Sequence, residues 1–268
     1  VYGKHLGSVP VNFISNYKIT KIDFIASHGH TILHQPEEGI TLQIGSGAEI
    51  AKITQQKVVS DFRTQDVNLG GQGAPLVPIG DELLFSKYDF CLNLGGFSNV
   101  SFKKEGKRIA FDICPINIVL NHYVKNLGLP YDSEGQIASK GAICFLLLDD
   151  LNALDFYASP PPKSLGLEWV KEHIFPLIDS YDLEVDQILR TVVEHCAFQI
   201  TNLLRANNLT NGLYTGGGVY NSFLMQHNSS LSLQDITPTD PIIIEFKEAL
   251  IFGFLGVLRL KELPNCLH

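Results

Sequence analysis

From Glu184 to Asn207, apolar side chains recur at three- and four-residue spacing: Val185, Ile188, Leu189, Val192, Cys196, Ile200, Leu203 and Leu204. That spacing predicts one long amphipathic helix with its stripe in a core. Val1 to about Ile14 reads as a second helix. Short apolar runs bounded by turn residues predict strands at DFIAS (Asp23 to Ser27), TLQIG (Thr41 to Gly45), VVSDF (Val58 to Phe62), RIAFDIC (Arg108 to Cys114), the start of GLYTGGGVYN (Gly212 to Asn221) and IIIEF (Ile242 to Phe246). LNLGGFSNVSF (Leu92 to Phe102) reads as two strands joined at Gly95 and Gly96, where a glycine pair supplies the positive φ of a tight hairpin.

Helices are expected over AEIAKIT, near Ile116 to Leu127, around Trp169 and from Lys247 to about Leu263. HGHTILH, after the first strand, reads as a polar loop. NLGGQGAPLVPIG (Asn68 to Gly80) holds too much glycine and proline for regular structure of any length, and PPPKSLG (Pro160 to Gly166) reads as a rigid loop. Alternating strands and helices predict an α/β fold with mixed sheets flanked by helices, in two lobes of residues 1–90 and 91–268.

Composition narrows the partners. The chain has 268 residues, 45% of them hydrophobic, enough to bury a sizeable core. Its 28 acidic and 20 basic residues give a net charge of −8 without a basic run, which argues against nucleic acid and anionic membranes and for a small-molecule partner. Apolar runs such as ALIFGFLGVL are too short to span a bilayer, and a cytoplasmic location is expected. Five scattered cysteines without a CxxC pair fit reduced thiols. The opening VYGKHLG reads like the middle of a helix, so the chain is expected to begin partway into a larger protein.

Several residues could carry chemistry. Gly95 and Gly96 follow a strand, and Gly216, Gly217 and Gly218 precede a helix. Side-chain-free turns in these places serve as plain turns or as approaches for phosphate and nucleoside. His28, His30 and His34 could be drawn as a zinc site or as a polar substrate loop. DFRTQD (Asp61 to Asp66) is a solvated turn or a sugar-binding edge. Asp112, after the apolar IAF, would be ionised at neutral pH, as either a structural cap or a proton acceptor.

In order, SHGHTILH, TLQIGSGAEIA, VVSDFRTQDVNLGGQGAPLVP, LNLGGFSNVS, FDICPIN, PPPKSLG, YTGGGVYN and KEALIFGFLG resemble the anhydro-N-acetylmuramic acid kinase family over nearly the whole chain. The resemblance implies an actin-like, ribonuclease H-like two-lobe fold, shared with sugar kinases and heat-shock ATPases. It also implies a magnesium-dependent ATP enzyme of cell-wall recycling, which opens the 1,6-anhydro bond with water and phosphorylates O6. By the same resemblance Asp112 is the general base. Gly95, Gly96, Asn99, Gly216, Gly217, Gly218 and Asn221 would meet ATP, and His28, Thr31, Arg63, Gln65, Asp66 and Glu248 the amino sugar. A homodimer is among the partners this reading admits.

Departures from the family pattern carry their own expectations. The glycine-rich phosphate loop that opens the family's first lobe is not found, implying an incomplete lobe and weak turnover. Gln65 stands where many members have arginine, His30 where glutamine is more common, and FDICPIN lacks the glycines usual around its proline. The competing reading is a nucleotide-binding or chaperone-like module of the same superfamily without sugar chemistry.

Overall fold

The computed structural model describes residues 1–35, 38, 40–68, 73, 75–232, 236 and 239–266, without the side chains of residues 34, 35 and 65. Two compact units are present: Val1–Leu84 with Lys247–His268, and Phe85–Phe246. The first break in the chain falls after Leu84, where a boundary near residue 90 is expected. The last helix differs from expectation, because from Lys247 onward it clusters with the first unit.

Unit 1 contains α1 (Tyr2–Asn16), β1 (Ile25–Ser27), β2 (His30–Gln35), β3 (Ile40–Ile44), α2 (Gly47–Thr54), β4 (Val58–Ser60), α3 (Thr64–Asn68) and α4 (Pro78–Leu84). β1 pairs in parallel with β4, and β2 pairs antiparallel with β3. The histidine segment is therefore strand from His30 onward rather than loop. Thr31 lies opposite Gln43 and Leu33 opposite Leu42, with a bulge at the intervening β-branched Ile32.

Unit 2 contains β5 (Phe90–Leu94), β6 (Phe97–Lys104), β7 (Lys107–Pro115), α5 (Asn117–Val124), α6 (Phe145–Asn152), α7 (Asp155–Ala158), α8 (Leu167–Trp169), α9 (Phe175–Asp179), α10 (Val185–Ala206), β8 (Gly212–Thr215) and α11 (Ser222–Ser232). Its sheet runs β7-β6-β5-β8, with β8 parallel to β5 and the other neighbours antiparallel. Leu92, Val100, Phe111 and Tyr214 form one register row on the face packed against the apolar stripe of α10. That stripe is core, as its spacing predicts: Leu189, Cys196, Ile200 and Leu204 are fully buried. The α10 amino end is held by Gln187, whose Oε1 accepts the Glu184 N–H (3.2 Å).

The final helix, α12 (Pro241–Leu260), corrects the expected strand IIIEF. Proline takes the first helical position, where its missing N–H costs nothing. The Asp240 carboxylate accepts the Ile242 N–H (2.9 Å), and its carbonyl accepts those of Ile243 (2.8 Å) and Ile244 (3.0 Å). A satisfied helix start outweighs the β preference of three isoleucines. Within unit 1, α12 is fastened to α4 by the buried Lys247–Asp81 ion pair, at 2.7 Å.

Candidate functional site

In unit 2, the row next to the core row and on the opposite face is polar across all four strands. Asp112 on β7 lies opposite Asn99 on β6, Asn99 opposite Asn93 on β5, and Asn93 opposite Thr215 on β8. Directly paired residues share a face, so these four side chains form one line near the carboxyl ends of β5 and β8. The register slips between Ser98 and Asn99, leaving Ile113 as an extra residue on β7. Ile113 and Cys114 are then both buried in the core while Asp112 keeps the polar row.

Asn93 and Thr215 escaped sequence reasoning. The available signal was register: an Asn two residues before a glycine pair aligns with the last residue of a parallel strand running into a second glycine turn.

The two turns bracket Asn93. A Cβ on Gly95 would lie 3.1 Å from Asn93 Nδ2, and one on Gly216 would lie 2.5 Å from Asn93 Oδ1. Gly216 has φ +84°, whereas neither Gly95 nor Gly96 lies in the left-handed region, which corrects the expected hairpin geometry. The Gly95–Gly96 turn is instead fixed by the start of α5: Ile116 and Ile118 donate N–H to the Gly96 carbonyl (2.8 and 3.3 Å), and Asn117 to that of Gly95 (3.3 Å). Gly96 and Gly217 are exposed with room around them, while Gly218 packs on Leu94. Asn221, expected at the nucleotide, is a buried cap whose Oδ1 accepts the Leu224 N–H (3.0 Å) at the start of α11.

Asp112 is half-buried, and its Oδ2 accepts the Leu165 N–H at 2.8 Å. Burial pushes its carboxyl above the ordinary carboxylate range, and the Leu165 amide pulls partly back.

A second cluster lies within unit 1. Arg63 Nε donates to His28 Nε2 (3.1 Å) and its Nη1 to the Gly73 carbonyl (2.9 Å), while Gly73 N–H donates to Asp66 Oδ2 (2.6 Å). Because His28 Nε2 accepts, the ring proton resides on Nδ1, next to the Gly29 carbonyl at 3.3 Å. Burial, then the Arg63 charge, holds His28 below its ordinary pKa; burial lowers Arg63 as well, and the Glu248 charge opposes both shifts. Phe252 of α12 packs on the imidazole at 4.6 Å.

Thus His28, Arg63, Asp66 and Glu248 are brought together. Thr31 sits on β2 opposite Gln43, and the Gln65 side chain lies outside the described residues. Of the histidine triplet, His28 has its Nε2 taken by Arg63, and His34's side chain lies outside the described residues.

A mixed sheet with a polar row at its strand ends, flanked by two glycine turns, marks an α/β protein of the kind that builds its site at carboxyl strand ends. Residues 8–268 match the family model described as anhydro-N-acetylmuramic acid kinase. Proteins of that name from Pseudomonas syringae pv. syringae (strain B728a) and Haemophilus influenzae are 36% and 35% identical, each over 91% of this chain and 70% of theirs. The relative from Bacillus cereus is 34% identical over 90% of this chain and 70% of its own. The chain belongs to the anhydro-N-acetylmuramic acid kinase family.

Among solved structures, the activator of the 2-hydroxyisocaproyl-CoA dehydratase from Clostridium difficile with bound ADPNP aligns at TM-score 0.41 and 12% identity, over 85% of this chain and 90% of that one. A likeness at that level adds nothing to the family assignment. Among the described residues, no helix is long and apolar enough to cross a membrane.

Proposed function

We propose that the protein is an ATP-dependent kinase that opens 1,6-anhydro-N-acetylmuramic acid with water and phosphorylates O6, giving N-acetylmuramic acid 6-phosphate and ADP, with an actin-like fold and a cytoplasmic place in cell-wall recycling. The observation that carries this reading is Asp112, in the polar row of a chain matched to the family over residues 8–268. A partly buried carboxylate whose basicity is raised by burial can take the proton of a water attacking the anomeric carbon. Departure of O6 toward the γ-phosphoryl group needs donors for the developing charge, and backbone at Gly96 and Gly217, with open space beside it, leaves room for phosphate and nucleoside.

Magnesium suits the donors present. Asn93, Asn99 and Asp112 offer side-chain oxygen rather than nitrogen or sulfur, the chemistry a hard cation prefers. Bound with ATP, it would neutralise charge on the phosphates. Sugar contacts are assigned to His28, Thr31, Arg63, Asp66 and Glu248.

Incubation in H₂¹⁸O with the anhydro sugar and ATP is expected to give a 6-phosphate carrying ¹⁸O at the anomeric hydroxyl and one ADP per sugar. ADP release that does not depend on the anhydro sugar would favour the nucleotide-binding module instead.

Arg63→Met is expected to raise KM for the sugar by roughly tenfold or more, since a guanidinium making charge-assisted bonds is typically worth about 1.5–3 kcal/mol. The KM for ATP should stay near wild type. An unchanged sugar KM would remove Arg63 from recognition.

His28 also predicts a pH effect. Its folded pKa lies below the ordinary 6.5, so the stability from the neutral ring is present above pH 6.5 and is lost as pH falls through the lowered value. His28→Gln should flatten the melting temperature against pH between about 5 and 7. A slope as steep as that of wild type would show that titration of His28 does not govern it.

A further inference from the structure

The turn from Pro160 to Gly166 holds Asp112 at two points. Asp112 N–H donates to the Lys163 carbonyl (3.1 Å), and the Asp112 carboxylate accepts the Leu165 N–H (2.8 Å). Among the described residues β7 is the end strand of its sheet, with no further strand beside its outward backbone groups, and the turn supplies a partner there.

The turn is itself anchored. Lys163 Nζ donates to the Phe156 carbonyl (2.9 Å) and stands 4.5 Å above the Phe156 ring. Phe156 packs on Trp169 (5.3 Å) and Tyr157 (5.5 Å). The Tyr157 hydroxyl meets Nε2 of buried His195 at 2.8 Å, and His195 Nδ1 meets Asn152 Oδ1 at 2.7 Å. Burial pushes His195 down to about 3, so the ring stays neutral and this network does not change charge in the working range.

A continuous set of contacts therefore runs from the core side of α10 through Tyr157 and Phe156 to the Lys163 ammonium, and from the Lys163 and Leu165 backbone to Asp112. Lys163 joins the Phe156 segment to the turn through a charged side chain.

We infer that Lys163 is a positioning residue for Asp112: by closing the segment from Phe156 to Lys163, its ammonium keeps the Leu165 N–H on the carboxylate and the carboxylate in the polar row. The inference rests on the proposed role of Asp112 as base. Without the clip the Leu165 donor is free to move away, and the carboxyl then loses the interaction that opposes the effect of burial. The titratable groups around the clip are Cys114, which faces Lys163, and Tyr157 and Cys196, which face Cys114. The hydrogen bond with the Cys114 thiol, then burial, pushes Cys196 up, and burial pushes Tyr157 up, so both stay neutral near pH 7.

Lys163→Met keeps the apolar stem over Phe156 and removes the donor, whereas Lys163→Arg keeps the charge. In the full-length protein, Lys163→Met is expected to lower kcat by about tenfold, within the range a small misplacement of a reacting group can cost, with KM for sugar and ATP held within about twofold. The acid limb of the kcat profile should move to higher pH, and Lys163→Arg should restore most of both.

A wild-type kcat and acid limb in folded Lys163→Met would overturn the inference, as would a kcat loss that only matches the unfolded fraction with no move of the acid limb. Asp112→Asn measured alongside separates the two claims. If that variant is inactive while Lys163→Met is ordinary, the positioning role alone falls; if it turns over normally, the base assignment falls first.

Discussion

Asp112→Asn should lose about 10²- to 10⁴-fold in kcat, the usual worth of a general base, while the protein stays folded. The amide is nearly the same shape, and its Oδ1 can still accept the Leu165 N–H that the carboxylate accepts at 2.8 Å. The second tie, from Asp112 N–H to the Lys163 carbonyl, is backbone and is unaffected. What the amide cannot do is take a proton from water at neutral pH.

Linkage gives the stability sign. The folded pKa is raised by burial, so above the ordinary range the ionised group opposes folding rather than supporting it. Replacing it should leave the melting temperature at pH 7 unchanged or slightly higher. In wild type, kcat should fall as pH drops through the raised value, because the basic form is the working one.

A purely structural Asp112 predicts the reverse pattern: a cap lost at a cost of about 0.5–2 kcal/mol, with turnover intact in the folded fraction. Steady-state ADP release and a thermal melt on the same preparation decide between them, and near-normal kcat removes Asp112 from the mechanism.

The long-range order of this chain was legible where side chains repeat with one period. The α10 stripe and the run of three strands into a helix after residue 90 both emerged at nearly their observed bounds. Periodicity failed where end effects decide. Ile242, Ile243 and Ile244 favour a strand in isolation, yet Asp240 and Pro241 give that segment a satisfied helix start, and a short apolar run cannot show which preference wins. His30 to Gln35 looks polar enough for a loop, but a polar sequence can still be a strand when a partner such as β3 satisfies its backbone.

The candidate site divides in the same manner. Arg63, Asp66 and His28 are polar and close in a strand-and-turn setting, so their residue types drew notice before their contacts were known. Asn93 drew none, because its significance is a register relation to Asn99 and Thr215, from strands that lie far apart in the chain. The turn that holds Asp112 is some fifty residues away from it, a separation of 53 for the Leu165 contact, and no local pattern announces such a pairing. Glycine was the most misleading letter: the same residue appears at Gly95 and Gly96 without positive φ and at Gly216 with it.

That contrast supports the other large effect. Gly216→Ala should lower both the melting temperature and ATP affinity, because the residue has φ +84° and its Cβ would lie 2.5 Å from Asn93 Oδ1 and 2.8 and 2.9 Å from the Leu94 carbonyl carbon and oxygen. Backbone atoms cannot swing aside as a flexible side chain can, so the turn must shift and Asn93 with it. A strained φ of this kind costs about 1–3 kcal/mol, which for a protein near this size is about 2–4 °C per kcal/mol.

Gly96→Ala and Gly217→Ala are the matched comparisons. A Cβ at Gly96 meets only Ile118 Cβ, at 3.9 Å, and one at Gly217 meets nothing within 4 Å. Both should melt as wild type does. If phosphate or nucleoside lies against these exposed turns, the added methyl should still weaken ATP binding, by about tenfold for a lost contact near 1.4 kcal/mol. Calorimetry and thermal melts on the three variants separate strain from ligand approach. An unchanged melt for Gly216→Ala would sink the strain argument, and ordinary ATP affinity in both Gly96→Ala and Gly217→Ala would show that the nucleotide does not use these turns.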